Sequence, residues 1–387
     1  MTGYPLEGVR VLEFGQVAAG PFTGSLLADL GADVVKVEPP EGDALRQWPP
    51  LVEDEAGERF SLNFASLNRN KRSVAADLKD EAQLAGVREL CARADVIVEN
   101  CRSGVMDRLG LGFDAVSERH PGLVYCSISG FGRTSPYARR GAFDVVVQGM
   151  SGLMSVTGAE DGPPVKCGVP VGDFVAGLYA AYTIAALLPG VRERGQSVFV
   201  DCPMIDCLLG ISALQVSEFW GTGVAPARLG SAHPRNAPYQ AFEGSDAPFV
   251  VAAGNDRLWG EVCEATGLRE LREDPRFVDQ RSRAANHREL AALLRPVFAT
   301  RTAAEWIARL DARGVPCGPV STFAEILADP HVEATGLVHE IDVPVAGPFP
   351  AVVYPARIDG VGQRYVHGPP RLGADADAVF SSWGVRR

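Results

Sequence analysis

Asp173 has the surroundings that most strongly suggest chemistry. It lies at the head of the apolar stretch GVPVGDFVAGLYAAYTIAALL and is the only charged residue between Lys166 and Arg192. Taking a lone carboxylate out of water is costly, so it must be hydrogen-bonded or used. Two interpretations fit. Asp173 is the N-cap of a helix predicted over 174–188, or it is a nucleophile that amide donors and the helix dipole keep ionised between apolar walls.

Two polar segments have the composition of a phosphate site. The sequence LNRNKRS (67–73) places three cations beside two amides in a predicted loop, although such a run taken alone is more often a solvated surface. The sequence ENCRSGVMDRLG (99–110) follows the carboxyl end of a predicted strand, which is where open α/β sheets bind ligands. Together they favour a large phosphorylated ligand.

Several common chemistries lack their motifs. The first turn, GQVAAG, misses the middle glycine of a dinucleotide fingerprint, and there is no P-loop and no G-x-S-x-G elbow. Eight cysteines form no CxxC pair, and six histidines show no metal-ligand spacing. We therefore expect no bound metal, and buried free thiols in a reducing compartment.

Composition narrows the class of protein. The chain has 387 residues, 46% of them hydrophobic, and a net charge of -11 without a long basic run. This argues against nucleic acid or an anionic membrane as a partner. No signal peptide is visible, and the apolar run 174–188 stops at Pro189, too short to span a bilayer. We predict a cytoplasmic protein.

The elements that position these residues alternate along the chain. Strands are predicted at 8–14, 32–38, 95–100, 123–131 and 196–202, helices at 22–31 and 81–94, and one long helix over 204–220. This order predicts an α/β fold with a mostly parallel sheet. We predict a large domain over 1–220, completed by 330–387. A linker and a smaller α+β domain fill 221–329, where Thr302 and Glu305 form a capping box.

These segments together resemble the class III coenzyme A transferases, the CaiB/BaiF family that includes formyl-CoA, carnitine and dicarboxylate CoA-transferases. The resemblance runs nearly end to end. It rests on several segments found in the same order, which include LEFGQVAAGPF, LADLGADVVKVEPPEGD, NRNKRSVAADLK, ENCRSGVMDRLGLG, VPVGDFVAGLYAA and RGVPCGPVSTFAEILADPHV.

The resemblance implies a role for each candidate residue. Asp173 is the nucleophile, and coenzyme A or its thioester is a substrate, with no tightly bound cofactor. The pantetheine arm lies near Gln16, Val17, Ala18 and Ala19. The nucleotide is held by Asn68, Arg69, Asn70, Lys71, Asn100, Cys101, Arg102 and Arg108, and Arg140 adds a phosphate or substrate contact. Gly230 and His233 contact the carboxylic acid. The implied assembly is a homodimer of interlocked rings with a Rossmann-like large domain.

The implied reaction moves coenzyme A from an acyl-CoA, with succinyl-CoA as a candidate, to a carboxylic acid through mixed-anhydride and aspartyl-CoA intermediates. A 2-methylacyl-CoA racemase is an alternative. That class places a histidine before the residue corresponding to Asp144, whereas this chain has Phe143 and no histidine between His120 and His233. A non-catalytic CoA-binding partner subunit is a third reading, whose expected mark, a lost nucleophile, is absent.

Overall fold

The structure, a computed structural model, describes residues 4–360 and 367–385. The chain divides into two compact units. The first comprises Met1–Leu153, Lys166–Gly223 and His331–Arg387, and the second comprises Met154–Val165 and Val224–Pro330. The segment Met154–Val165, which the sequence analysis left in the large domain, therefore belongs to the smaller unit.

The strands and helices of the described residues are numbered here in chain order. The strands are β1 (Arg10–Glu13), β2 (Asp33–Glu38), β3 (Leu51–Glu53), β4 (Arg59–Ser61), β5 (Lys71–Ala75), β6 (Val96–Glu99), β7 (Val124–Ser129), β8 (Val198–Pro203), β9 (Tyr239–Glu243), β10 (Pro248–Ala252), β11 (Cys317–Pro319), β12 (Val338–Val343) and β13 (Gly347–Val352). The helices are α1 (Ala19–Asp29), α2 (Leu62–Asn68), α3 (Glu81–Cys91), α4 (Val105–Arg108), α5 (Phe113–Ser117), α6 (Asp144–Met150), α7 (Val171–Arg194), α8 (Met204–Ile211), α9 (Ala213–Thr222), α10 (Asp256–Thr266), α11 (Gln280–Ala285), α12 (His287–Phe298), α13 (Ala303–Asp311), α14 (Phe323–Leu327), α15 (Pro330–Thr335) and α16 (Ala376–Ser382). Short 3₁₀ turns lie at Ala44–Gln47, Leu153–Val156 and Arg269–Arg272.

A six-stranded parallel sheet organises the first unit and confirms the predicted α/β class. Its order is β5-β2-β1-β6-β7-β8. Because side chains alternate across a strand, neighbours in β1 enter different cores: Val11 packs with α1, α7 and α8, while Leu12 packs with α3 and α16. The strand order reverses direction between β1 and β6, and open α/β sheets bind ligands at such a switch point.

Helix α7 is longer than the sequence analysis predicted. It continues through Pro189 to Arg194 and is 24 residues long. Among the described residues it is the one helix long and apolar enough to span a membrane by length and composition alone. The face of α7 that includes Ala176, Ala180 and Ile184 is buried against the sheet, which makes α7 a core helix of the first unit.

Two further predictions about local structure were wrong. The long helix predicted over 204–220 is divided into α8 and α9 at Ser212, whose hydroxyl donates to Leu208 O at 2.8 Å. Such a back-bonded serine offers the backbone an alternative to continuing the helix. The predicted loop 67–73 is instead the end of α2 followed by β5, the edge strand of the sheet. The side chains of Arg69 and Lys71 are therefore buried.

The second unit contains a three-stranded antiparallel sheet, ordered β11-β10-β9, covered by helices. Its core is built around Trp259 and Trp306, both almost completely buried. The predicted capping box is confirmed, since Thr302 and Glu305 satisfy each other's backbone amides at the start of α13. The described structure therefore contains the large parallel sheet together with small antiparallel sheets.

Candidate active site

Asp173 occupies the first turn of α7 without being its cap. The helix begins at Val171 after Pro170, so Asp173 is the third helical residue and the N-cap interpretation was wrong. Within the described part of the chain its carboxylate accepts no hydrogen bond, although its side chain is half-buried. Burial, together with a smaller contribution from the charge of Asp144, raises the pKa of Asp173 to about 6. The expected amide donors are therefore absent, and what remains is a desolvated carboxylate.

Asp144 links the start of α6 to the start of α7. One oxygen, Oδ1, accepts the backbone N–H of Gly172 at 2.8 Å, and the other accepts Nε2 of Gln148 at 2.6 Å. Gln148 is fully buried, and its Oε1 accepts the N–H of Cys167 at 2.8 Å. Three separate segments are thus tied together next to Asp173, which fixes the direction in which the first turn of α7 presents its carboxylate.

The loop between β1 and α1 lies at the switch point of the sheet. Gln16 is exposed, and both of its backbone polar groups pair with Asn100, which follows β6: the N–H donates to Oδ1 and the carbonyl accepts from Nδ2, each at 2.9 Å. Ala18 and Ala19 are buried at the start of α1. Since the amide of Asn100 is used on Gln16, we assign it to orienting this loop, and the predicted direct contact of its side chain with a nucleotide is not supported.

Helix α1 brings this loop and α7 into one structure. The ring of Phe22, in the first turn of α1, lies 4.7 Å from the ring of Phe174, the residue after Asp173. The two helices approach closely at Gly177, where an added Cβ would lie 2.9 Å from Phe22 and 3.2 Å from Ala19 O. A larger residue at 177 would push the two helices apart, and with them the two parts of the candidate site.

Three of the residues predicted to hold the nucleotide are buried and already paired. Lys71 donates to Pro21 O at 2.7 Å and Asn68 Oδ1 at 3.0 Å and forms an ion pair with Glu13 at 2.8 Å. Arg69 forms an ion pair with Asp29. Their side chains present almost no surface to a ligand, because all three residues are buried. The prediction that Asn68, Arg69 and Lys71 bind phosphate is therefore not supported by the geometry.

The fourth residue of that run is different. Asn70 is half-buried, adopts a left-handed backbone conformation with φ of 60°, and donates from Nδ2 to Asp29 Oδ1 at 2.9 Å. Its Oδ1 accepts the N–H of His367 at 3.0 Å, which ties β5 to the C-terminal segment. Asn70 thus joins two parts of the chain beside the sheet edge.

The second polar segment remains accessible. Arg102 and Arg108 are exposed beside the carboxyl end of β6, where Arg102 and the half-buried Cys101 line a small pocket. Arg140 is exposed, with its guanidinium 5.0 Å from the ring of Tyr137. These three arginines keep the charge and the accessibility that phosphate binding requires.

The remaining predicted residues lie in the second unit. Gly230 is left-handed, with φ of 61°, and its N–H donates to Gly158 O at 3.0 Å. The Nδ1 of His233 accepts the N–H of Arg235 at 3.1 Å, and its ring lies 5.0 Å from that of Tyr239. The tautomer with hydrogen on Nε2 fits this arrangement.

Sequence reasoning missed the charged residues beneath the Gln16 loop. Glu13, Lys36 and Asp43 are at most 1% exposed, and Lys36 Nζ lies 3.0 Å from Glu13 Oε1 and 2.9 Å from Asp43 Oδ2. A signal was available: Glu13 and Lys36 each have apolar neighbours on both sides, in VLEF and VVKV, which resembles the setting that drew attention to Asp173.

Metal ligands and cysteine thiols are the other groups that could carry chemistry. No group of three metal-ligating side chains occurs among the residues that the structure describes. The eight cysteines are free thiols; five are buried, whereas Cys101, Cys167 and Cys317 are partly exposed, so the prediction of buried thiols holds only in part. Burial raises the pKa of the Cys101 thiol to about 12, which argues against a thiolate nucleophile there.

Comparison with known proteins identifies the class. Residues 6–376 match CoA-transferase family III, and this chain belongs to that family. It is 37% identical over 380 residues to the succinate–glutarate CoA-transferase of Agrobacterium fabrum, covering 97% of this chain and 95% of the relative. It is 39% identical over 357 residues to the mouse succinyl-CoA:glutarate CoA-transferase, covering 90% and 80%. A CAIB/BAIF family protein from Brucella suis has the same fold, with a TM-score of 0.88 at 38% identity, covering 99% of this chain and all of that one.

Proposed function

We propose that this enzyme transfers coenzyme A from succinyl-CoA to a dicarboxylic acid such as glutarate, with Asp173 as the covalent nucleophile. Membership of CoA-transferase family III supports the reaction class, and the substrates named for the two relatives above support the choice of acids. The observation that carries the proposal is the uncommitted, desolvated carboxylate of Asp173 in the first turn of α7.

The reaction divides into four acyl transfers. The Asp173 carboxylate attacks the thioester carbonyl, and the C–S bond breaks to give a mixed anhydride and CoA thiolate. The thiolate then attacks the aspartyl carbonyl, which releases the donor acid and leaves an aspartyl-CoA thioester. The acceptor carboxylate attacks this thioester and expels the thiolate again. Attack of the thiolate on the acceptor's carbonyl gives the new acyl-CoA and frees Asp173.

The environment of Asp173 suits the first step. With a pKa of about 6 the side chain is mostly ionised at neutral pH. Nucleophilicity increases with basicity, so the raised pKa favours attack, and weak solvation leaves little water to displace. Asp144 contributes in two ways, since its charge raises the pKa of Asp173 and its bond to Gly172 fixes the turn.

Coenzyme A binding is assigned to the accessible residues of the carboxyl edge. In this proposal Gln16 and its neighbours lie along the pantetheine arm at the switch point, and Arg102, Arg108 and Arg140 neutralise phosphates. Gly230 and His233 are proposed to contact the acid.

We further propose that the enzyme is a homodimer of interlocked rings. Large apolar side chains on α7 and α9 are exposed in the single chain, including Tyr182 at 73%, Leu214 at 63% and Trp220 at 79%. Extended apolar exposure of this kind marks protein contacts. Light scattering on the purified chain measures the assembly directly, and a monomer would contradict this part of the proposal.

The test of function combines product analysis with trapping. Purified protein is incubated with succinyl-CoA and a panel of acids that includes glutarate, mesaconate and oxalate, without ATP. Formation of the acceptor's CoA ester and a hydroxylamine adduct at Asp173 are expected. Deuterium incorporation at the α-carbon of a 2-methylacyl-CoA without transfer would instead indicate a racemase. Product without any adduct at Asp173 would exclude the proposed intermediate.

A further inference from the structure

A group of buried charges lies directly beneath the exposed Gln16. Glu13, Lys36 and Asp43 form ion pairs in the interior, with Lys36 between the two carboxylates. Burial lowers the pKa of Lys36, but Glu13 and Asp43 outweigh that effect and hold it above its usual value. Buried ion pairs add little net stability compared with apolar residues of similar volume. Their presence here therefore calls for a role other than stability.

Two hydrogen bonds connect this group to the backbone on either side of Gln16. The ammonium of Lys36 donates to the carbonyl oxygen of Gly15. Both oxygens of Asp43 lie 3.1 Å from the backbone N–H of Val17. Asn100 holds the amide and the carbonyl of Gln16 itself. The loop is thus held at three consecutive residues, while the Gln16 side chain is left exposed.

The residue that Asp43 holds is strained. Val17 has φ of 65°, in the left-handed region that a β-branched side chain strongly disfavours. Such a conformation persists only where the surroundings impose it, and it is concentrated at functional sites. In the extended conformation that valine prefers, the Val17 N–H would point elsewhere, and Gln16 would rotate relative to the carboxyl edge of β1 and β6.

We propose that Asp43, itself held by Lys36, is a positioning residue for coenzyme A transfer. It acts through Val17, keeping that residue left-handed so that Gln16 faces the bound thioester. Asp43 is a suitable holder because its own amide donates to Glu38 at 3.1 Å and its Oδ1 also accepts Leu45 N–H at 2.9 Å. The role in transfer rests on the proposed function, whereas the hold on Val17 is a property of the folded chain alone.

The kinetic test is a rescue experiment. Asp43→Ala should lower kcat for transfer from succinyl-CoA to glutarate at least tenfold, with the KM for glutarate changing less than threefold. Asp43→Asn should lose less, because its side-chain oxygen still accepts from Val17. Adding Val17→Gly to Asp43→Ala should restore kcat at least threefold, since glycine adopts the left-handed conformation without help. Absence of any rescue would overturn the positioning role.

A double-mutant cycle measured by thermal unfolding tests whether Asp43 constrains Val17, and it needs no activity measurement. Replacing Val17 by glycine relieves strain only while Asp43 imposes it. The change in unfolding midpoint caused by Val17→Gly should therefore be more favourable in the native background than in Asp43→Ala. Val345, also left-handed with φ of 75° but located in the turn between β12 and β13, is the matched control.

Val345→Gly should shift the midpoint equally in both backgrounds and leave kcat unchanged. Equal shifts for Val17→Gly in the two backgrounds would overturn the proposal. The kinetic rescue and the unfolding measurements together distinguish failure of the positioning role from failure of the proposed function. A native chain that transfers no coenzyme A contradicts the proposed function. The double-mutant cycle of unfolding midpoints still shows whether Asp43 constrains Val17.

Discussion

Charged side chains removed from water are fully paired in one region of the first unit and paired with no described residue in another. Beneath the Gln16 loop, Glu13 is ion-paired with both Lys36 and Lys71, and the lysines also donate to backbone and amide oxygens. In the first turn of α7, Asp173 is partly desolvated and has no hydrogen-bond donor among the described residues.

The comparison shows how partners determine what a buried charge can do. A charge whose hydrogen-bonding capacity is used within the fold fixes geometry, because moving it breaks several bonds at once. A charge without partners has a perturbed pKa and is available to react. The predictions below test this distinction, beginning with the largest expected effect.

The first prediction removes the uncommitted charge. Asp173→Asn should lower kcat by at least about 10³-fold, because an amide cannot form the anhydride, while CoA affinity measured by calorimetry stays within a few-fold. It should also raise the unfolding midpoint at pH 7.5. The raised pKa in the folded state means that ionised Asp173 opposes folding above pH 6. This penalty disappears below the unfolded pKa of about 4. Unchanged turnover would refute the nucleophile.

The second prediction removes a committed charge. Lys71→Ala leaves Glu13 buried with one cation instead of two, so it should destabilise the protein by about 3–5 kcal/mol in denaturant unfolding. The matched variant Arg108→Ala removes an exposed cation of the same unit. It should leave stability within about 0.5 kcal/mol and raise the KM for the acyl-CoA. If Lys71→Ala folds normally and changes only that KM, the original phosphate assignment was right.

The contrast also explains what could be predicted from the sequence. Hydrophobic alternation and turn residues were sufficient for the parallel sheet, since β1, β2, β6 and β7 lie within the predicted segments. The lone charge at Asp173 identified the candidate nucleophile for the same local reason. Both predictions depend on neighbours in the chain, which a sequence displays directly.

What the sequence did not reveal depends on distant partners. The run 67–73 has the composition of a phosphate loop, but Lys71 finds Glu13 on a strand 58 residues earlier, so its charge is directed into the fold. The N-cap interpretation of Asp173 failed because the helix begins at Val171, three residues before the predicted start at residue 174. Gln148 gave no signal at all, since its importance arises only when it meets Asp144 and Cys167 in the folded chain.

The third prediction concerns pH. Because the ionised form of Asp173 is the nucleophile and its pKa is raised to about 6, kcat/KM should be nearly constant above pH 7. Below pH 6 it should fall about tenfold per unit. Asp144→Asn removes the neighbouring charge and should move this midpoint to lower pH. Asp114→Asn, on the exposed start of α5, should leave it in place. A midpoint unaffected by Asp144→Asn would show that the two carboxylates do not interact.

The prediction with the smallest expected effect concerns Gln148, a neutral side chain that helps to position Asp144 beside the first turn of α7. Gln148→Met preserves the length of the side chain but removes the donor to Asp144 and the acceptor for Cys167 N–H. The partly buried N–H of Cys167 then loses its acceptor, so stability should fall by about 1–3 kcal/mol. With Asp144 less constrained, kcat should fall several-fold while the KM for acyl-CoA is unchanged. An equal loss in stability with full kcat would mean that Asp144 is held by Gly172 alone, and that the reactive turn needs only its local bond.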